Sequence, residues 1–280
     1  MIRMAILASL AGVLVLAWMM AAGDPHAIDL TNTLAGPSSA HPLGTDHLGR
    51  DLATRLVWGA APSLMAVSIV LVAGLGLGAI AGGVIALSSG PVRAAVQWLA
   101  ETALAIPTLV TALALSAIFG SGVLTVACAL VVTSWAPYAL TIAALFDRIR
   151  GEAFWQASEA LGIPLAAGMR RHLLPNAWGA IGALAGADAG RAVVLVASLG
   201  FIGLSADTGR PEWGAMIHEY RMFLFTEPRL VLAPIIACSF VAVALHVFLD
   251  RTGLGLRRRG AAPKRIRLRP TEQAPDVPGQ

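Results

Sequence analysis

Asp188 and Arg191 lie three residues apart inside an apolar stretch, Ala177 to Leu204, that carries no other charge. On a helix this spacing puts both side chains on one face, where they can pair. Ionisable groups at hydrocarbon depth are expensive unless they meet a partner or a cavity, so Asp188 and Arg191 are candidates for lining or gating a path, or for an ion relay. A purely structural pair would use the same spacing, as would a span that begins later than Ala177. Those readings stay open.

Metal-ligand residue types gather in His41-Pro42-Leu43-Gly44-Thr45-Asp46-His47-Leu48-Gly49-Arg50-Asp51. His41, Asp46 and His47 have the donors to hold a metal in transit, but a short cluster in a turn-rich loop reads more simply as loop polarity, and no metal site is assigned. Cys128 and Cys238 sit in apolar runs outside any C-x-x-C spacing and read as small buried hydrophobes. There is no G-x-x-x-x-G-K-[ST] phosphate loop, and Lys264 is the only lysine. Nor is there a Ser-His-Asp, H-E-x-x-H or paired-carboxylate arrangement. The chain is therefore expected to catalyse nothing and to bind no cofactor itself. If ATP drives its action, another subunit hydrolyses it.

The elements that must position these residues follow from composition. Of 280 residues, 57% are hydrophobic and 13% charged, with a mean hydropathy of +0.74. A soluble domain carries about 25% charged residues, and disorder needs low hydrophobicity, so lipid must cover this chain. Residues 56–92 and 102–146 contain no Asp, Glu, Lys or Arg. About 20 helical residues cross a bilayer core, and backbone groups in lipid must be satisfied internally. The expected fold is all-α and membrane-embedded, with six spans at about 4–22, 62–87, 102–119, 123–146, 177–204 and 230–249, and local kinks at Pro107, Pro137 and Pro234. The first span reads as an uncleaved anchor rather than a secretory signal, because its apolar length exceeds a signal core. Leu48, Leu52 and Leu56 share a face, with Asp51 and Arg55 at i, i+4, which predicts an interfacial helix leading into the second span. Gly74, Gly78 and Gly82 put small residues on one face of that span, for close helix packing.

With both termini inside, 14 of the 20 basic residues fall on the cytoplasmic side. Arg257 to Arg269 supply most of that bias. They read as an anchor near anionic headgroups rather than a nucleic-acid patch, so no nucleic-acid partner is expected. The chain thus divides into one transmembrane domain, 1–250, and a basic, disordered cytoplasmic tail, 251–280. Between the fourth and fifth spans, residues 147–176 form a cytoplasmic loop. Phe154, Ala157 or Ser158, and Leu161 have helical i, i+3/4, i+7 spacing. Gly162 ends that helix, and Pro164 starts another that runs to about Leu174, before Pro175. Such a pair either rests on lipid or docks a partner.

Three motifs resemble a known family. Gln156-Ala157-Ser158-Glu159-Ala160-Leu161-Gly162 with His172-Leu173-Leu174-Pro175-Asn176 resembles the EAA loop of bacterial ABC-importer permeases. His41 to Asp51, with Gly44, Asp46, Gly49, Arg50 and Asp51, is similar to the external signature of their peptide and nickel branch, as is Glu212-Trp213-Gly214-Ala215-Met216-Ile217. The resemblance covers about residues 4–250 and is nearest the nickel-type member. Gln156 and Ser158 depart from the usual Glu and Ala of the EAA pattern, so one charged contact is lost.

The resemblance implies an ATP-driven importer permease working by alternating access in the bacterial inner membrane. Its coupling loop would dock an ATPase through Phe154, Gln156, Ala157, Ser158, Leu161, Gly162, His172 and Pro175. It also implies two ATPase subunits using ATP and Mg, a homologous second permease and an external substrate-binding protein. The cargo it implies is nickel, a metal chelate or a short peptide. A stand-alone secondary transporter or channel using Asp188 and Arg191 is the competing class.

Overall fold

The computed structural model describes residues 23–169, 174–205 and 210–260. Among them the regular structure is helical, with an isolated bridge between Thr45 and Asp51 and no strand. In chain order the helices are α1 (Leu52–Leu87), α2 (Gly90–Ala105), α3 (Thr108–Phe119), α4 (Val123–Arg150), α5 (Ala153–Ala160), α6 (Leu165–Gly168), α7 (Leu174–Phe201), α8 (Trp213–Tyr220) and α9 (Pro228–Gly260). By length and composition, Leu52–Leu87, Val123–Arg150, Gly179–Phe201 and Pro228–Leu249 can each cross a membrane, and α2 with α3 makes a fifth crossing if the bent pair counts as one.

Several expected boundaries change. The span at 4–22 lies outside the described residues. The continuous span at 102–119 is not formed, because α2 and α3 meet at 88° across Ile106 and Pro107. Proline has no amide hydrogen and its ring disfavours helical backbone in the residue before it; Ile106 accordingly adopts φ −79°, ψ 120°. The second span begins at Leu52 rather than 62, since the expected interfacial helix is continuous with it over 36 residues. At 1.5 Å per residue α1 is about 54 Å long, well beyond a 30 Å core, so one end stands clear of the lipid.

Asp51 caps α1, accepting from the Thr54 amide at 2.6 Å. It does not take the expected partner Arg55, which bonds Asp46 and Glu219 instead. α7 covers Leu174–Phe201, so Pro175 lies inside a helix, and residues 170–173 of the helix expected to run to about Leu174 lie outside the described residues. α6 is only four residues long. At the other end α9 runs to Gly260, so the first ten residues of the expected disordered tail are helical. No proline interrupts 235–262.

Two tight helix pairs form the bundle, α1 with α4 and α7 with α9. Gly74, Gly78 and Gly82 make the first seam. A Cβ on Gly74 would lie 2.7 Å from Ser134 Oγ, one on Gly82 2.6 Å from the Ala139 carbonyl, and one on Gly78 would overlap Tyr138 Cβ. Gly190 lets α7 approach the Ala242 carbonyl of α9.

Residues 23–51 fold as a cap over one end of the bundle. Gly44 and Gly49 take φ of 78° and 76° there, which favours a residue without Cβ. Arg229, in the first turn of α9, holds the cap by donating to the carbonyls of Ala35 at 2.7 Å, Leu34 at 3.0 Å and Leu43 at 3.2 Å.

Candidate functional site

The interior site grows from α7. Its i, i+3 spacing brings Asp188 and Arg191 together: Asp188 Oδ1 accepts from Arg191 Nε at 2.8 Å and lies 2.6 Å from Nη2. Tyr138 of α4 donates its hydroxyl to Asp188 Oδ2 at 2.8 Å, and the glycine seam is what lets α1 fit behind Tyr138. The carboxylate is buried, whereas the Arg191 side chain is 55% exposed. Both line a cavity of about 110 Å³ with Ile106, Thr108, Thr133 and Ser134. Within its lining the Thr108 and Thr133 hydroxyls lie 3.4 Å apart, hydrogen-bonded to each other. The break between α2 and α3 thus supplies one wall, with irregular backbone at apolar depth where only protein or a watery cavity can accommodate it.

At the capped end, Asp46 is fully buried. Its Oδ1 accepts from the amides of Leu48 at 2.8 Å and Arg50 at 3.0 Å, and Oδ2 from Arg50 Nε at 2.7 Å and Tyr220 at 2.9 Å. Burial pushes the Asp46 carboxyl up, but the Arg50 hydrogen bond and charge with the two amides outweigh it and hold it below the ordinary carboxylate value. Glu219 of α8 accepts from Arg50 and, at 2.7 Å, from Arg55 Nη2. Burial, the largest influence, raises the Tyr220 hydroxyl well above its usual value, keeping it a donor to Asp46.

Asp46, His47 and Glu219 bring ligand atoms within 4.8 Å of one another. Two guanidinium groups occupy and balance those two carboxylates, so the arrangement is an ion-pair box and not a cation site. His41 pairs separately with Asp51 at 2.9 Å.

Glu212 completes this end. Buried as the N-cap of α8, it accepts from the Gly214 and Ala215 amides, Ser63 Oγ at 2.9 Å and Ser205 Oγ at 2.7 Å. Trp213 Nε1 reaches the Leu56 carbonyl at 2.9 Å.

At the opposite end lies α5. Phe154, Gln156, Ala157 and Leu161 are exposed, Leu161 to 78%, while Ser158 is buried and thus off the face that the sequence spacing offered as its alternative to Ala157. Trp155, absent from the sequence-derived set, is the anchor: its ring is buried over Gly168 and its Nε1 donates to Glu159 at 2.7 Å. Gly162 takes φ 70° and ends the helix. Gln156 Nε2 reaches the Gly151 carbonyl at 3.5 Å. Pro175 is exposed at the start of α7, and His172 lies outside the described residues.

Tyr138, Glu219 and Tyr220 were missed for a common reason, since each finds its partner far along the chain. The isolated hydroxyl of Tyr138 inside the apolar run was the one available signal.

Comparison with known proteins agrees with this architecture. Residues 74–259 match the family model described as the binding-protein-dependent transport system inner membrane component. The nickel transport system permease protein NikC of Escherichia coli (strain K12) is 32% identical over 227 residues, covering 81% of this chain and 82% of that protein. The metal-staphylopine import system permease protein CntC of Staphylococcus aureus (strain NCTC 8325 / PS 47) is 29% identical over 244 residues, covering 87% and 84%. Among solved structures, an inward-facing MetNI methionine ABC transporter chain superposes with a TM-score of 0.61 at 16% identity, over 72% of this chain and 95% of that one. That likeness shows the shared fold. Apolar helices long enough to cross a membrane, and a family match over most of the length, together make this chain a member of the binding-protein-dependent transport system inner membrane component family, the multi-pass permeases of ABC importers.

Proposed function

We propose that this chain is one half of the pore of an ATP-driven importer that moves nickel, a metal chelate or short peptides across the inner membrane by alternating access. The observation that carries the reading is Arg191, a guanidinium half-exposed at apolar depth beside a partly open cavity. A charge there needs water or protein around it, so a second, homologous permease closes the path. Asp188 and Arg191 line that path.

The exposed Phe154, Gln156, Ala157 and Leu161 with Gly162, anchored by Trp155, form the surface that docks one of two ATPase subunits, which bind the ATP and Mg. His172 and Pro175 flank that surface in sequence. The capped end, with His41, Gly44, Asp46, Gly49, Arg50 and Asp51, faces an external substrate-binding protein. Both termini are then cytoplasmic, in keeping with the basic residues after 250.

The test is uptake into liposomes. The chain reconstituted with its ATPases, second permease and binding protein is expected to accumulate cargo only with ATP inside. The chain alone, without ATP, should accumulate none. ATP-independent uptake by this chain alone would overturn the proposal and favour a secondary transporter.

A further inference from the structure

We infer that the cavity beside Arg191 selects cargo by a carboxylate group, which the open N–H donors of this guanidinium receive. The inference rests on the placement of Asp188 and Arg191 on the path, and adds the chemistry that the path selects.

The argument is an inventory of donors and acceptors. Asp188 is the only carboxylate that lines the cavity among the described residues, and both its oxygens are engaged, Oδ1 by Arg191 and Oδ2 by Tyr138. It is 7% exposed and offers an incoming cation little. Arg191 uses Nε and Nη2 on Asp188, yet over half of its side chain remains open. A guanidinium carries five N–H donors in a plane and accepts nothing. The pair is neutral in sum but turns its positive member to the cavity.

The other polar lining carries no charge, and Thr133 and Ser134 spend their hydroxyl protons on the Leu130 and Val131 carbonyls, so Arg191 alone sets the sign of the site. Thr108, Thr133 and Ser134 bring hydroxyls, and α3 begins at Thr108 with no side-chain cap on its first turn. An unscreened divalent ion would meet the Arg191 charge with no free carboxylate to offset it, in surroundings where charges act strongly on one another. A carboxylate would meet a planar fork matched to its two oxygens. The volume, about 110 Å³, equals a few water molecules. It suits one head group and not a whole peptide. Two kinds of cargo bring that group, the C-terminus of a peptide and the acid groups of a metal chelator.

The experiment uses the complete transporter with its binding protein in liposomes loaded with ATP. The probes are nickel alone, nickel with histidine, nickel with histidinamide, and one dipeptide as the free acid and as the C-terminal amide. Binding of each probe to the isolated binding protein is measured separately and divided out. The wild type should take up an acid probe about tenfold or more faster than its amide, since a site built for a group rejects the analogue lacking it. Whether the nickel pair or the dipeptide pair shows the difference identifies the source of the carboxylate.

In Arg191→Gln the acid-to-amide ratio should fall to about one, and the double variant D188N/R191Q, which restores neutrality, should not recover it. Arg191→Lys should keep a preference at reduced rate. Equal uptake of acid and amide by the wild type, uptake of nickel alone only, uptake of no acid probe, or a preference that survives Arg191→Gln overturns the inference. In each case ATP dependence is scored on its own, so loss of the carboxylate preference is distinguishable from failure of the importer reading. The wild-type ratio needs no variant to fold.

Discussion

The Tyr138 hydroxyl and Asp188 Oδ2 are 2.8 Å apart although 50 residues separate them in sequence. This bond joins α4 to α7 and leaves the second oxygen of Asp188 satisfied. Tyr138→Phe removes the donor without changing the ring's volume, and an unsatisfied buried acceptor costs about 1–3 kcal/mol. For a chain of this size the unfolding midpoint in detergent is expected to fall by roughly 2–4 °C per kcal/mol. A midpoint equal to wild type would show that the bond carries no stability.

The glycine seam makes an internally controlled prediction. Gly78→Leu places a branched side chain where even a Cβ meets Tyr138, and the resulting overpacking is expected to cost at least about 1–3 kcal/mol. Gly76 lies in the same helix with nothing within 4 Å of its would-be Cβ. Gly76→Ala should be neutral or gain up to about 1 kcal/mol of helix stability. Thermal stability of the two purified variants decides it, and similar losses at both positions would mean that the seam is not the cause.

The cap should respond to acid with a definite sign. Asp46 is held below its ordinary value when folded, so its contribution is complete above the usual carboxylate range, about 4, and is lost as pH falls through the lowered folded value. Amide exchange over 44–51, corrected for its intrinsic pH dependence, should accelerate in the wild type only below about pH 4. Asp46→Asn should show fast exchange already at pH 7. Slow exchange in that variant would remove Asp46 as the keystone of the cap.

Docking of the ATPase is expected to separate two kinds of side chain on α5. Leu161→Asp and Phe154→Asp alter exposed positions, so the permease should fold normally and lose ATPase binding by tenfold or more, about 1.4 kcal/mol or greater. Trp155→Ala acts through the fold of the loop, leaving a cavity over Gly168 and lowering thermal stability as well. Co-purification of the ATPase with each variant measures the first effect and calorimetry the second. Full ATPase binding by Leu161→Asp would move the docking surface elsewhere.

What could be read from the sequence was whatever depends on neighbours along the chain. Charge-free runs announced the long helices because lipid tolerates little else. Asp188 and Arg191 could be paired on paper because i and i+3 adjoin on any helix. Gly74, Gly78 and Gly82 declared a close approach by spacing alone, although not to which helix. Arg55 was assigned to Asp51, four residues away, but bonds Glu219 at a separation of 164, and no local rule ranks a distant partner over a near one. At Pro107 a local kink was expected inside a span, and the structure has instead an 88° break between two helices. Pro62, Pro137 and Pro234 sit inside unbroken helices, so proline alone does not say where a span will snap. Ser158 was offered with Ala157 as a face position, and only tertiary packing turned it inward with Trp155.

The two helix pairs are fastened unequally along their length. At the capped end Ser63 bonds Glu212, the Leu56 carbonyl bonds Trp213, Arg55 bonds Glu219 and Asp46 bonds Tyr220. Deeper between α4 and α7, the polar link among the described residues is the single one from Tyr138 to Asp188. Mechanically this is a lever with its fulcrum at the cap. A relative rotation of the two pairs about that end would displace the α5 end farthest and would load the Tyr138–Asp188 bond beside Arg191.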